Sequence, residues 1–238
     1  MDPILNRFGY DAFREGQKEI ITALEEGHDA IAILPTGNGK SFIYQYIGIK
    51  EKCRVVIVSP LIALMVDQVA SLKQLGIHRA VAITSLMTEA EKNYILSTLN
   101  EYQFIFVSPE MLQAPRFFKQ LSKLEIGLLV VDEAHCISQW GYDFRSDYLF
   151  IGKMRKSLKN PRTLALTATA TTQVVHDIYT FLGLNKEDTT YFQGHAFLKN
   201  REIDVISVEG LRSKMLSESL KRVEYPCIVY GSMIKEIE

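Results

Sequence analysis

The feature that most constrains this chain is a succession of short, wholly apolar runs, each closed by Pro, Ser, Thr, Gly or Asp or leading into them. The runs lie at residues 30–34, 55–58, 80–83, 104–107, 128–131 and 164–166. Each is too short for a buried helix, and several are rich in β-branched residues, so each reads as a strand buried on both faces. Between them lie helical patterns. Residues 61–75 place Leu61, Leu64, Met65, Leu72 and Leu75 near helical spacing, and residues 171–182 form another such stretch, closed by Gly183. Residues 88–99 open with Thr88-Glu89-Ala90-Glu91, a capping-box arrangement. Strands and helices in this alternation predict an α/β fold whose mostly parallel sheet carries helices on both faces. Ligands of such sheets bind outside the carboxyl ends of the strands.

Residues 184–193 fade into polar sequence, and a new unit is expected after them: a strand near 203–206, a helix near 211–223 and a strand at 227–230. We therefore read residues 1–194 as one domain and 195–238 as a linker and the beginning of a second, which is too short to bury a core by itself.

Composition narrows the setting. The chain has 238 residues, 47% hydrophobic and 23% charged, which is ordinary globular usage rather than that of a disordered chain. No apolar run approaches the roughly 18 residues of a membrane span, and Met1-Asp2-Pro3 lacks the layout of a signal peptide. Three cysteines (Cys53, Cys136, Cys227) are too few and too scattered for a disulfide framework or zinc site. The expectation is an intracellular, cytoplasmic or nucleoid-associated protein with no membrane partner, monomeric by default. With 27 Lys+Arg against 28 Asp+Glu, the net charge of -1 argues against a binder that works by bulk charge alone.

After the first run comes Pro35-Thr36-Gly37-Asn38-Gly39-Lys40-Ser41, then a helical stretch. Two glycines let the backbone turn its N–H groups inward, and a helix N-terminus adds positive potential where phosphates would sit. Lys40 is placed to reach β- and γ-phosphates and Ser41 to ligate Mg²⁺. A strict phosphate-loop pattern has Gly where this chain has Leu34. After the fifth run, Asp132 and Glu133 are delivered at a strand end. Asp132 suits an ion held through water, and Glu133 suits the orientation and deprotonation of an attacking water. Taken alone, the pair is also compatible with a solvated strand end.

These two sites together resemble superfamily 2 helicases. The 17 residues from Asp132 to Tyr148, Asp132-Glu133-Ala134-His135-Cys136-Ile137-Ser138-Gln139-Trp140-Gly141-Tyr142-Asp143-Phe144-Arg145-Ser146-Asp147-Tyr148, look like motif II and the aromatic-rich loop of the RecQ-type DNA helicases. Phe8-Gly9-Tyr10 with Phe13-Arg14-Glu15-Gly16-Gln17 resembles motif 0 of that family. Residues 59–69 resemble motif Ia, 107–112 motif Ib, 166–170 motif III, and Val229-Tyr230-Gly231-Ser232 the start of motif IV.

The resemblance implies a RecA-like P-loop domain using ATP and Mg²⁺, in a parent enzyme that moves 3′ to 5′ on single-stranded or forked DNA in recombination and repair. It implies that Lys40, Asp132, Glu133 and His135 are catalytic. Tyr10, Arg14, Gln17, Thr36, Gly37, Asn38, Gly39, Lys40 and Ser41 would bind nucleotide, with Gln17 reading the adenine edge, and Ser41 and Asp132 would serve the metal. Ser59, Gln139, Trp140, Phe144, Arg145, Thr167 and Thr169 would grip DNA or couple it to ATP. Aromatic faces and a guanidinium stack on bases with little regard for sequence. Packing roles for Trp140, Phe144 and His135, and a helix-end role for Gln17, are the simpler alternatives. Ser59, Thr84, Ser108 and Thr167 end strands and could serve DNA phosphates or neighbouring motifs. Asn38 stands where this family usually has Gly, Tyr142 where it has His, and Ser146 where it has Pro.

Residues 144–162 hold six basic side chains (Arg145, Lys153, Arg155, Lys156, Lys159, Arg162) against the single acid Asp147. Part of this run is expected beside the DNA path, with a solvated helix face as the alternative. In this family ATP is hydrolysed between two motor domains, so weak activity is expected of this chain alone. The rival readings are a P-loop nucleotide enzyme of another kind, such as a small-molecule kinase, and a non-catalytic nucleotide- or DNA-binding piece.

Overall fold

The computed structural model describes residues 2–141 and 143–194. These fall in the first of two units into which the chain divides, Met1–Leu198 and Lys199–Glu238. The elements expected after residue 194, and motif IV with them, lie outside the described residues.

Seven strands, β1 (Asp29–Ile33), β2 (Val55–Val58), β3 (Ala80–Ile83), β4 (Phe104–Val107), β5 (Leu128–Val131), β6 (Arg162–Thr167) and β7 (Thr189–Gln193), form one sheet in the order β3-β4-β2-β5-β6-β1-β7. Every pairing is parallel. The helices are α1 (Pro3–Arg7), α2 (Gln17–Glu25), α3 (Lys40–Glu51), α4 (Ile62–Gln74), α5 (Glu89–Ser97), α6 (Pro109–Leu112), α7 (Pro115–Leu121), α8 (Ile151–Ser157) and α9 (Thr172–Leu182).

The side-chain alternation of a strand explains why the runs are apolar throughout. Ala30, Ala32, Val55, Ile57, Phe104 and Phe106 point into one core with α1 to α4. Ile31, Val56, Val58, Ile105 and Val107 point into a second core, against α5 to α9. β1 to β6 are thus sandwiched between the two cores, which favours apolar residues along their whole length. The helix signals hold as well. Thr88 and Glu91 make both halves of a capping box, and Gly183 ends α9 in the left-handed region at φ +67°.

One expectation fails. Residues 189–193, read as a polar fade-out, form β7, an edge strand paired with β1 (Ala30↔Thr190, Ala32↔Phe192). Thr190 and Phe192 are half-buried while Tyr191 and Gln193 are exposed, so the run alternates rather than being apolar throughout. An edge strand with one covered face has that signature, and it is weaker than the signature of the sandwiched strands.

At the amino ends of the strands, Arg155 ties α8 to the sheet. Its guanidinium lies 2.7 Å from Asp29 Oδ2 and donates to Thr163 Oγ1 at 2.7 Å, while Asp29 Oδ1 accepts the Thr163 N–H at 2.7 Å. Arg162, also at that end, pairs with Glu51. At the opposite end, the strand order sets β2, β5, β6 and β1 side by side. Their carboxyl termini deliver Ser59, Asp132, Thr167 and the glycine loop to one place.

Candidate nucleotide and nucleic-acid site

The loop from Pro35 to Gly39 joins β1 to α3. Gly37 and Gly39 adopt φ of +83° and +71°, a region that disfavours a Cβ. Among the described residues the only non-glycines with positive φ are Lys52, Glu133, Lys159 and Asn160. Leu34 and Asn38 therefore need no glycine. Leu34 is fully buried and donates its N–H to Thr167 O at 2.9 Å. Its apolar side chain joins the core, and this explains how the loop forms without the first glycine of the strict pattern.

Gln17 is 1% exposed at the start of α2. Its Nε2 donates to the carbonyls of Asn38 and Gly39, both at 3.1 Å, and its Oε1 accepts the Arg14 N–H at 2.9 Å. A Cβ on Gly39 would come within 2.8 Å of Gln17 Nε2. In this arrangement the amide braces the loop. Arg14 also donates to Gly37 O, and its guanidinium lies 5.8 Å from the centroid of the Tyr10 ring.

A cleft of about 370 Å³ opens in front of the loop, lined by Tyr10, Arg14, Thr36, Gly37, Gly39, Lys40, Ser41, Ser59, Asp132 and Glu133, and deeper by Tyr44, Met65, Gln68 and Phe106. Lys40 Nζ rests 3.3 Å from Leu34 O. Asp132 accepts from Ser59 Oγ at 3.3 Å, and its backbone carbonyl accepts from the buried Tyr148 hydroxyl at 2.8 Å. Burial, and next the charge of Glu133, push the Asp132 carboxyl up to about 6. Glu133 is instead held below its ordinary range, first by its hydrogen bond with His135 and also by Lys40 and His135 charge. Its backbone sits at φ +46°, ψ +47°, a left-handed conformation that a non-glycine adopts at a cost of about 1–2 kcal/mol. Such strain gathers at functional positions.

His135 bridges two strand ends. Its Nδ1 lies 2.9 Å from Thr167 Oγ1 and 3.3 Å from Glu133 Oε2, and Thr167 Oγ1 in turn donates to Thr169 O at 3.0 Å. Cys136 Sγ, 3.8 Å from Nε2, and then Glu133 push the imidazole up to about 10. Ser59, Thr84, Ser108 and Thr167 are all buried. The hydroxyls of Ser59 and Thr167 engage Asp132 and His135, so the geometry gives them to neighbouring motifs rather than to DNA phosphates. Ser108 Oγ is buried and has no hydrogen-bond partner among the described residues. Thr169 is exposed.

Beyond the short turn Ala134–Ile137 the chain leaves the core. Ser138 anchors it, donating to Asp177 Oδ2 at 2.6 Å and accepting the Trp140 N–H at 3.1 Å. Gln139 is exposed, Trp140 is 75% exposed and Phe144 36% exposed. Packing therefore does not account for Trp140. Arg145 Nη2 lies 2.9 Å from Asp143 Oδ2, and its Nη1 donates to Pro60 O at 3.3 Å. Tyr142 lies outside the described residues.

A family model described as DEAD/DEAH box helicase matches residues 14–178. The chain belongs to that family. It is 47% identical over 177 residues to the probable ATP-dependent DNA helicase RecS of Bacillus subtilis (strain 168), covering 74% of this chain and 36% of that protein. It is 42% identical over 188 residues to the ATP-dependent DNA helicase RecQ of the same organism, covering 77% and 32%. The chain thus spans about a third of the length of these relatives. Among solved structures, the Hef helicase domain of Pyrococcus furiosus matches with a TM-score of 0.60 at 24% identity, over 76% of this chain and 38% of that one. The helicase MrfA bound to DNA and AMPPNP matches with a TM-score of 0.69 at 15% identity, over 92% and 33%. These two likenesses show the fold.

Within this helicase domain two departures find physical reasons. Asn38 has negative φ, and its N–H donates to Pro35 O at 3.1 Å in a turn that accepts any residue. Ser146 opens the 3-10 turn Ser146–Phe150, a first-turn position that proline suits but does not monopolise. The basic run 144–162 requires a correction. Arg155 is buried against Asp29 and Arg162 pairs with Glu51, both at the strand ends away from the cleft. Arg145 faces Asp143. Only Lys153, Lys156 and Lys159 are exposed and without an acid within 4.0 Å among the described residues. The local excess of charge is mostly structural, because a buried guanidinium is retained only with a partner.

Sequence reading gave no role to Tyr148, which pins the backbone of Asp132, or to Asp177, which anchors Ser138. Tyr148 closes the quoted 17-residue stretch. Asp177 is the lone acid of α9, and that is the one signal that could have marked it.

No helix among the described residues is long and apolar enough to cross a membrane.

Proposed function

We propose that the chain is the ATP-binding motor domain of a RecQ-type DNA helicase, in which ATP hydrolysis is coupled to a grip on single-stranded DNA. The observation that carries this reading is the convergence of Lys40, Asp132 and Glu133 on one cleft, with His135 bound to Glu133 and Thr167 at the start of the segment that exposes Trp140. Lys40 and the loop N–H groups cradle the β- and γ-phosphates, Arg14 and Tyr10 flank the nucleotide, and Glu133 takes a proton from the attacking water. Gln17 acts by holding the loop.

The donors available for Mg²⁺ are hard oxygens, Ser41 and Asp132, which line the same cleft. The raised Asp132 carboxyl also fits, because a cation there would relieve its repulsion with Glu133. When bound, the ion neutralises phosphate charge. Trp140 and Phe144 stack on bases, and Gln139 and Arg145 support that segment. Domain boundaries at 1–194 and 195–238, 3′ to 5′ movement, forked substrates, a monomeric state and an intracellular, nucleoid-associated site belong to the same proposal.

The test is Lys40→Ala in the intact helicase. Loss of DNA-stimulated ATP hydrolysis with retained folding supports the reading, and full activity contradicts it. Turnover indifferent to DNA but dependent on a small acceptor would favour a kinase-like enzyme.

A further inference from the structure

We propose that the end of the sheet opposite the nucleotide cleft, where its strands begin, carries an oxyanion groove that receives an acidic peptide segment of a protein partner.

At the amino ends of β2 to β5 lie two cavities of about 310 Å³ and about 290 Å³. Lys52, Arg79 and Gln103 line both, so the two form one groove with two lobes. Arg54 lines the first lobe, and Arg7 and His78 the second, while Glu125 is the only acid lining either. Among the described residues, none of Arg7, Lys52, Arg54 and Arg79 has a carboxylate within 4.0 Å. Asp29 and Glu51 are engaged with Arg155 and Arg162, and Glu125 offsets Arg54 only from beyond 4.0 Å.

The cations are positioned but not neutralised. Arg54 donates to the carbonyls of Tyr102, Glu125 and Asn100 at 3.1, 2.9 and 2.9 Å. Arg79 Nε donates to Glu101 O at 2.6 Å, and its two terminal nitrogens make no hydrogen bond among the described residues. That leaves a preset guanidinium fork, which suits bidentate pairing with a carboxylate. The positive charges are also crowded, because burial and then the charge of Arg79 push the Arg54 guanidinium down. A bound carboxylate would relieve that crowding.

Three observations favour a peptide over a nucleic-acid strand. The groove lies at the opposite strand ends from Trp140 and Phe144. Its lining carries a single exposed ring, the His78 imidazole, since Tyr102 is half-buried, so successive bases have no row of aromatic faces to stack on. Two lobes sharing Arg79 suit two carboxylates from alternate residues of an extended chain, about 7 Å apart.

The test is titration of the full chain with fluorescein-labelled hexaglutamate at low salt. The double variant Lys52→Gln/Arg79→Gln removes two exposed charges, and Lys153→Gln/Lys156→Gln removes two from α8 as a control for bulk charge. The expected result is saturable binding that weakens about tenfold or more in the first variant and stays within about twofold in the second. Nucleotide binding and the melting temperature should match wild type in both. No binding to wild type, or equal weakening in the two variants, would overturn the proposal. So would an oligothymidine strand whose binding, rather than that of hexaglutamate, is lost with Lys52 and Arg79.

Discussion

His135 Nδ1 lies 2.9 Å from Thr167 Oγ1, across 32 residues of sequence and between the ends of two adjacent strands. Glu133 Oε2 lies 3.3 Å from the same Nδ1, so the carboxylate proposed to activate water, the imidazole and the end of β6 share one hydrogen-bonded unit, five residues before the exposed Trp140. Thr167→Val keeps the shape and removes the acceptor. Basal ATP hydrolysis is expected to change by no more than a few-fold, and stimulation by single-stranded DNA to fall on the order of tenfold, as for loss of one such hydrogen bond. Thr167→Ser should restore stimulation. Steady-state phosphate release with and without oligothymidine checks both.

The same histidine sets a pH dependence of stability. Its folded value of about 10 lies above the ordinary 6.5, so the fold favours the protonated ring. That stabilisation is full below pH 6.5 and is lost as pH rises toward 10. Asp132, raised from 3.8 to about 6, acts in a separate, more acidic window, and its contribution improves as pH falls through 6. Melting temperatures should therefore decline between pH 6.5 and 10, and His135→Asn should flatten the decline. An identical slope in the variant would show that another group titrates.

Gln17 and Gly39 test the brace behind the phosphate loop. Gln17→Leu leaves two loop carbonyls and the Arg14 N–H without their partner, at about 1–3 kcal/mol for each group that stays buried. ATP affinity should fall ten- to a hundredfold, on the order of 1.4–2.8 kcal/mol. Gly39→Ala adds a Cβ at φ +71° and 2.8 Å from the Gln17 amide, and should lose nucleotide binding outright. Titration with a fluorescent ATP analogue reads both.

Arg155 separates structural charge from DNA-facing charge. Arg155→Met leaves Asp29 buried without its cation, and should cost about 3–5 kcal/mol in urea melts. The salt slope of DNA binding should be unchanged, since the guanidinium lies at the strand ends away from the cleft.

Most of the sheet was legible because β1 to β6 are sandwiched. Ala30, Val56 and Leu129 are wholly buried, and burial on both faces imposes an uninterrupted apolar run. β7 was not legible because Tyr191 and Gln193 face solvent at the edge. The loop and the acidic pair could be read because their chemistry fixes residue type and spacing. The roles of Gln17, Ser59 and Arg155 could not, because each depends on a partner 21 to 126 residues away. Composition misled for the same reason: in the basic run after the aromatic segment, Arg155 and Arg162 are neutralised by acids from distant elements.

The central claim is that this cleft hydrolyses ATP in response to single-stranded DNA gripped by the exposed aromatic segment. The most direct measurement is phosphate release by the intact helicase with oligothymidine, with an RNA strand and with neither, for wild type and Trp140→Ala. Wild type should be stimulated by DNA more than by RNA. Trp140→Ala should keep its unstimulated rate and fold but require more DNA, with a loss of about 1–3 kcal/mol in DNA affinity. Hydrolysis in wild type that ignores DNA, or a Trp140→Ala variant stimulated at the same DNA concentration as wild type, would contradict the account.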